Sequence, residues 1–124
     1  MLIGVPKEIH RHEHRVGLTP FAVSQLTAEG HTVFVEKEAG VEAFFTDRDF
    51  EEAGAQIVYG REEPYHRSDL VCRVSRPSTE ELDLLKPGGV IAAFQHLAVI
   101  PRENIDRFME ADSTLIGYEL IKDE

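Results

Sequence analysis

Short apolar runs rich in β-branched residues recur along this chain, and nearly every one is followed by a segment with helical caps and spacing. That alternation is the strongest constraint on the fold. A strand that must run parallel to its predecessor needs a crossover, and a helix is the usual crossover. Leu2-Ile3-Gly4-Val5 is the first run and stops at Pro6. His31–Glu36, Ala55–Tyr59, Asp69–Val74, Val90–Phe94 and Ser113–Tyr118 are the others, and the apolar Val90–Phe94 is expected in the middle of a sheet. Thr19 caps a helix opened by Pro20, with Phe21, Ala22, Val23 and Leu26 on its apolar face and Gly30 as its stop. Thr46 caps a second helix that ends at Gly54, and Ser78 a third that ends before Pro87-Gly88-Gly89. Arg61–His66 is weakly helical and limited by Pro64, while Pro101–Ala111 reads as a helix with Ile105, Phe108 and Met109 inward.

The pattern predicts a doubly wound, mainly parallel α/β sheet of the Rossmann or flavodoxin-like kind, in three layers. Residues 1–124 read as one domain, without repeats or linkers. The formal charge of −10 disfavours nucleic acid, whose phosphates it would repel. No apolar run is long enough for a membrane span, and the amino terminus shows no signal-peptide pattern. The single cysteine, Cys72, fits a reducing cytoplasm and reads as a buried, inert thiol.

Three polar segments leave strand carboxyl ends: Lys7–Arg15, Arg73–Arg76 and Gln95-His96. In a doubly wound sheet such loops share one rim, where ligands bind. Arg15 can grip a carboxylate with two parallel hydrogen bonds; the alternative is an ion pair with Glu8 or Glu13. His96 follows a buried strand and can exchange a proton near neutral pH; the alternative is a structural rim histidine. His10, His12 and His14 alternate, but no cysteine supports them and no metal site is assigned. Ser75 has no base beside it in sequence. Glu36 ends a strand where nucleotide-binding folds often carry an acid for a ribose, yet no Gly-x-Gly-x-x-Gly turn precedes it, so no cofactor-binding residue is assigned.

Ile3-Gly4-Val5-Pro6-Lys7-Glu8 and Arg15-Val16-Gly17-Leu18-Thr19-Pro20 closely resemble the opening of the alanine dehydrogenase and pyridine nucleotide transhydrogenase family. The likeness continues through Gly30-His31-Thr32-Val33, Ala53-Gly54-Ala55, Asp69-Leu70-Val71 and Phe94-Gln95-His96-Leu97-Ala98. His96-Leu97-Ala98 and Tyr118-Glu119 resemble the alanine dehydrogenase branch. The resemblance implies an NAD-dependent conversion of L-alanine and water to pyruvate and ammonia. It implies that Arg15 holds the substrate carboxylate and that His96 transfers a proton beside the carbon that gives up hydride.

Two departures stand out. Where the family reads Lys-Val-Lys-Glu-Pro, this chain reads Arg73-Val74-Ser75-Arg76-Pro77, so Ser75 takes the place of a substrate-contacting lysine. The family's cofactor-binding domain is absent from these residues. The chain alone is therefore expected to be inactive, with no cofactor of its own. A further domain or partner chain would supply NAD, and a homo-oligomer is implied. Alternatives are a transhydrogenase α-subunit domain and a non-catalytic binding or assembly domain.

Overall fold

The computed structural model describes residues 1–9, 12–93 and 114–117. Six strands, β1 (Leu2–Val5), β2 (Thr32–Glu36), β3 (Gln56–Val58), β4 (Leu70–Cys72), β5 (Val90–Ala93) and β6 (Thr114–Gly117), form one sheet in the order β3-β2-β1-β4-β5-β6. Every neighbouring pair is parallel. The expected parallel α/β sheet is therefore present, with one adjustment. The centre is β1 and β4, and β5 is interior but lies one place outward, between β4 and β6. The expected helix at Pro101–Ala111 lies outside the described residues, as do His10, Gln95-His96 and Tyr118-Glu119.

Among the described residues four α-helices lie in the crossovers: α1 (Pro20–Ala28), α2 (Asp47–Glu52), α3 (Glu63–His66) and α4 (Thr79–Leu84). Local chemistry sets their starts. The Thr19 hydroxyl accepts from the Ala22 amide, and Pro20 lies in the first turn, where its missing N–H costs nothing. Thr46 with Asp49, and Ser78 with Glu81, complete reciprocal capping boxes. Pro64 sits in the first turn of α3, so it opens that short helix rather than limiting it.

Strand alternation divides the core between two faces. Ile3, Val5, Val33 and Val35 pack with Val23 of α1 and Phe50 of α2. On the other face Val71, Ile91 and Ala93 pack with Tyr65 of α3 and Leu82 of α4. Each fully buried Val or Phe contributes about 1.5–3 kcal/mol relative to exposure. Gly4 points to the second face, where a Cβ would collide with the Pro64 carbonyl and the Ser68 hydroxyl. The absent side chain lets α3 lie directly on β1.

Gly4→Ala should therefore destabilise the fold by about 1–3 kcal/mol, the usual cost of overpacking. Urea unfolding checks this; an unchanged midpoint would show that α3 does not press on β1.

Candidate functional site

Strand order reverses between β1 and β4. β2 and β3 extend the sheet one way from β1, and β4 to β6 the other. In open parallel sheets such a reversal is where ligands bind, beyond the carboxyl ends of the two strands. The loop after β1 carries Lys7 to Arg15, and the loop after β4 begins at Arg73.

One carboxylate joins the two loops. Glu8 accepts the backbone N–H of Val74 at 2.9 Å and of Ser75 at 3.0 Å, and the Arg73 guanidinium lies 3.5 Å away. The Glu8 side chain is only 3% exposed. Gly17 completes the seam: a Cβ there would strike the Cys72 carbonyl and come within 2.9 Å of the Arg73 Cα. The Val16-Gly17-Leu18 segment, which follows Arg15 directly, thus rests on the end of β4.

Arg73 is fully buried. It donates to the Ser75 carbonyl at 2.6 Å, to the Tyr65 hydroxyl at 2.8 Å, and to Glu81. The Tyr65 hydroxyl in turn donates to Glu81 at 2.5 Å. The other Glu81 oxygen accepts the Ser78 amide, so one side chain both caps α4 and neutralises the arginine. Burial pushes the Tyr65 hydroxyl well above the ordinary phenol range and keeps it a proton donor. Burial opposes ionisation of Glu81 as well, but the Arg73 charge and the Tyr65 and Ser78 hydrogen bonds outweigh it and hold the carboxyl below its usual value. Burial likewise works against the Arg73 charge; Tyr65, Glu81 and Glu8 around it reverse the balance and raise its pKa.

A cavity of about 210 Å³ opens between the ends of β1 and β2, with Lys7, Glu8, Glu13, His14, Glu38 and Glu42 on its wall. At about 30 Å³ per water this is room for a three-carbon acid. Arg15 stands beside it in a two-pronged pair with Glu13. Its Nε and Nη2 donate to the two carboxylate oxygens at 2.9 Å each, and its backbone N–H adds a third bond at 3.0 Å. The hydrogen bond from Arg15 leads the effects that hold the Glu13 carboxyl below its usual range, and Glu13 raises Arg15 in return. His14 reaches Glu42 at 2.7 Å and Lys7 reaches Glu38 at 3.8 Å.

The structure thus brings Arg15 and Ser75 to adjoining loops, with Glu8 between them. Arg15 pairs with Glu13, while Glu8 belongs to Arg73. Arg73 is not available at the rim; it is the centre of the buried cluster. A signal for this was present in the sequence. An arginine adjoining Val71, Cys72 and Val74 has to bring counter-ions with it. Among the described residues no cluster of three or more His, Cys, Asp or Glu is arranged to hold a metal ion. His96 lies outside the described residues; β5, which precedes it, ends at Ala93 beside β4.

Beyond the end of β4 the backbone donors are already in use. The amides of Val74 and Ser75, which would suit a phosphate, are taken by the Glu8 carboxylate. Glu36, at the ribose-type position, is half-buried and accepts the Lys7 amide at 3.1 Å. Burial raises its carboxyl pKa. A second negative group would meet charge already in place.

The fold is that of a parallel α/β domain whose strand order reverses between β1 and β4, with a small, polar cavity beside the end of β1. Residues 4–124 match the family model described as "Alanine dehydrogenase/PNT, N-terminal domain", and the chain belongs to that family. Alanine dehydrogenase of Staphylococcus saprophyticus is 40% identical over 123 residues, covering 98% of this chain and 32% of that protein. The Bacillus subtilis alanine dehydrogenase is 38% identical over 123 residues, covering 99% and 32%. A solved L-alanine dehydrogenase superposes with a TM-score of 0.90 at 42% identity, over 96% of this chain and 32% of that one. A transhydrogenase from Sinorhizobium meliloti also reaches 0.90, at 27% identity, over 100% and 36%. The chain spans about a third of the length of these relatives.

Arg73→Leu strands two buried carboxylates and should cost about 3–5 kcal/mol of stability by urea unfolding. The depressed Glu81 pKa fixes the sign of the acid response. Its contribution is complete above the ordinary glutamate range and drains away as pH falls through the lower folded value. Glu81→Gln should flatten that acid limb; an acid limb as steep as in the wild type would remove Glu81 from the account.

Proposed function

We propose that residues 1–124 are the substrate-side domain of an alanine dehydrogenase-type oxidoreductase that interconverts L-alanine and pyruvate with NAD. Arg15 holds the substrate carboxylate through its planar fork. His96 exchanges the proton that accompanies hydride loss from the substrate Cα. A further domain or partner chain holds the NAD, because hydride transfer needs both reactants against each other. The working form is a cytoplasmic homo-oligomer. Among the described residues no helix is long and apolar enough to cross a membrane.

The observation that carries this reading is the pairing of exposed Arg15 with Glu13, a wall residue of a small cavity, on the loop that Glu8 and Gly17 bind to the end of β4. Ser75, at the place of a family lysine, supplies a hydroxyl but no charge, so it leaves the carboxylate chiefly to Arg15. The relatives named alanine dehydrogenase support this branch over the transhydrogenase at lower identity.

In the enzyme assembled with its cofactor-binding half, Arg15→Ala should raise the KM for alanine and pyruvate at least about tenfold, the loss of a charge-assisted pair. His96→Ala should lower kcat by about 10²-fold or more, the usual weight of general acid–base catalysis. Steady-state kinetics on both variants decides the matter, and wild-type constants in either would withdraw that residue's role.

A further inference from the structure

Glu13 is only 13% exposed although it sits in a loop, whereas its partner Arg15 is 67% exposed. The carboxylate is thus held inward, on the cavity wall, and the guanidinium it binds is largely open to solvent. Both prongs of that guanidinium are already engaged by Glu13. Any carboxylate that takes the same fork has to displace one that belongs to the chain.

The other carboxylates of the cavity have different partners. Glu8 is bound to the amides of Val74 and Ser75, Glu38 pairs with Lys7, and Glu42 pairs with His14. Glu13 is the cavity acid that pairs with Arg15. A 2-oxo acid brings only an anion, so its entry leaves Glu13 charged, partly buried and without the guanidinium. An α-amino acid brings an anion and an ammonium a few bonds apart. It can replace both halves of the pair at once.

We propose that the Glu13–Arg15 pair opens as a two-sided receptor for a zwitterion, in which Arg15 takes the carboxylate, Glu13 takes the α-ammonium, and Glu13 thereby sets the preference for amino acid over 2-oxo acid. This rests on the reading of Arg15 as the carboxylate clamp. The partner exchange conserves the count of charge-assisted hydrogen bonds for L-alanine and loses one side for pyruvate. Because the pair is near the surface, the effect is moderate. Glu13 stays ionised through the neutral range, since Arg15 depresses its pKa.

The test is an NMR titration of the 124-residue chain with L-alanine and, separately, with pyruvate, in wild type, Glu13→Gln and Glu13→Asp. Glu13→Gln keeps the shape and removes the charge. It should tighten pyruvate about threefold and weaken L-alanine about fivefold, factors in keeping with exposed and charge-assisted pairs. Glu13→Asp keeps the charge and should preserve the wild-type order. Shifts of the same sign for both ligands, or none, overturn the assignment. Arg15→Ala, run alongside, separates the two layers. Wild-type binding indifferent to Arg15→Ala overturns the clamp itself, and binding that requires Arg15 but ignores Glu13→Gln overturns the Glu13 role alone. No binding of either acid to wild type and Glu13→Gln overturns both.

Discussion

A single buried cation holds the two halves of the sheet in register where they meet. Arg73 lies at the end of β4 with no exposed surface, and three elements converge on it: the β1 loop through Glu8, α3 through Tyr65 and α4 through Glu81. A guanidinium in an apolar interior is tolerated only when its charge and its donors are matched. The match here is made by residues from distant parts of the chain, so burying Arg73 fixes the relative positions of all three. The cavity and the Arg15 loop inherit that geometry. Glu8 adds direction as well as charge, because it binds consecutive amides and so pins the orientation of the Val74-Ser75 backbone.

This arrangement bears on how an acidic protein could accept the small acid proposed as its substrate. The chain carries a formal charge of −10, yet long-range fields are screened beyond about 10 Å at ordinary ionic strength. Local pairing decides instead. Glu8, Glu38 and Glu42 are each tied to a cation or to backbone donors near the cavity, so their charges are already answered. Arg15 is likewise answered, by Glu13, in an exposed pair.

The layout of the sheet was legible from the residues because several signals agreed. β-branched runs, capping residues such as Thr19, Thr46 and Ser78, and glycine or proline stops all marked the same boundaries. Strand order was not, since which strands neighbour one another depends on long-range packing that local pattern does not encode. The apolar Val90–Ala93 therefore looked central and proved to be one place outward. At the site, a loop arginine with nearby acids left Arg15 open between Glu8 and Glu13. Side-chain reach resolved it: Glu13, two residues away, can close a bidentate ring, while Glu8 is drawn off by the amides beyond β4. The buried role of Arg73 was missed because its counter-ions come from residues 8 and 81, neither adjacent in sequence.

The central place of β1 also bears on how the protein is assembled during synthesis. β1 comes first of the six strands along the chain, and β2 can dock on one side after about thirty residues, but the opposite edge waits for residue 70. Until then a line of unpaired amides and carbonyls faces the solvent, with apolar side chains above and below. Such an edge invites pairing with other nascent chains. Glu8 stands just past that edge, and both its cation and its amide donors, Arg73 to Ser75, are translated only after it, so the seam at the end of β1 closes late.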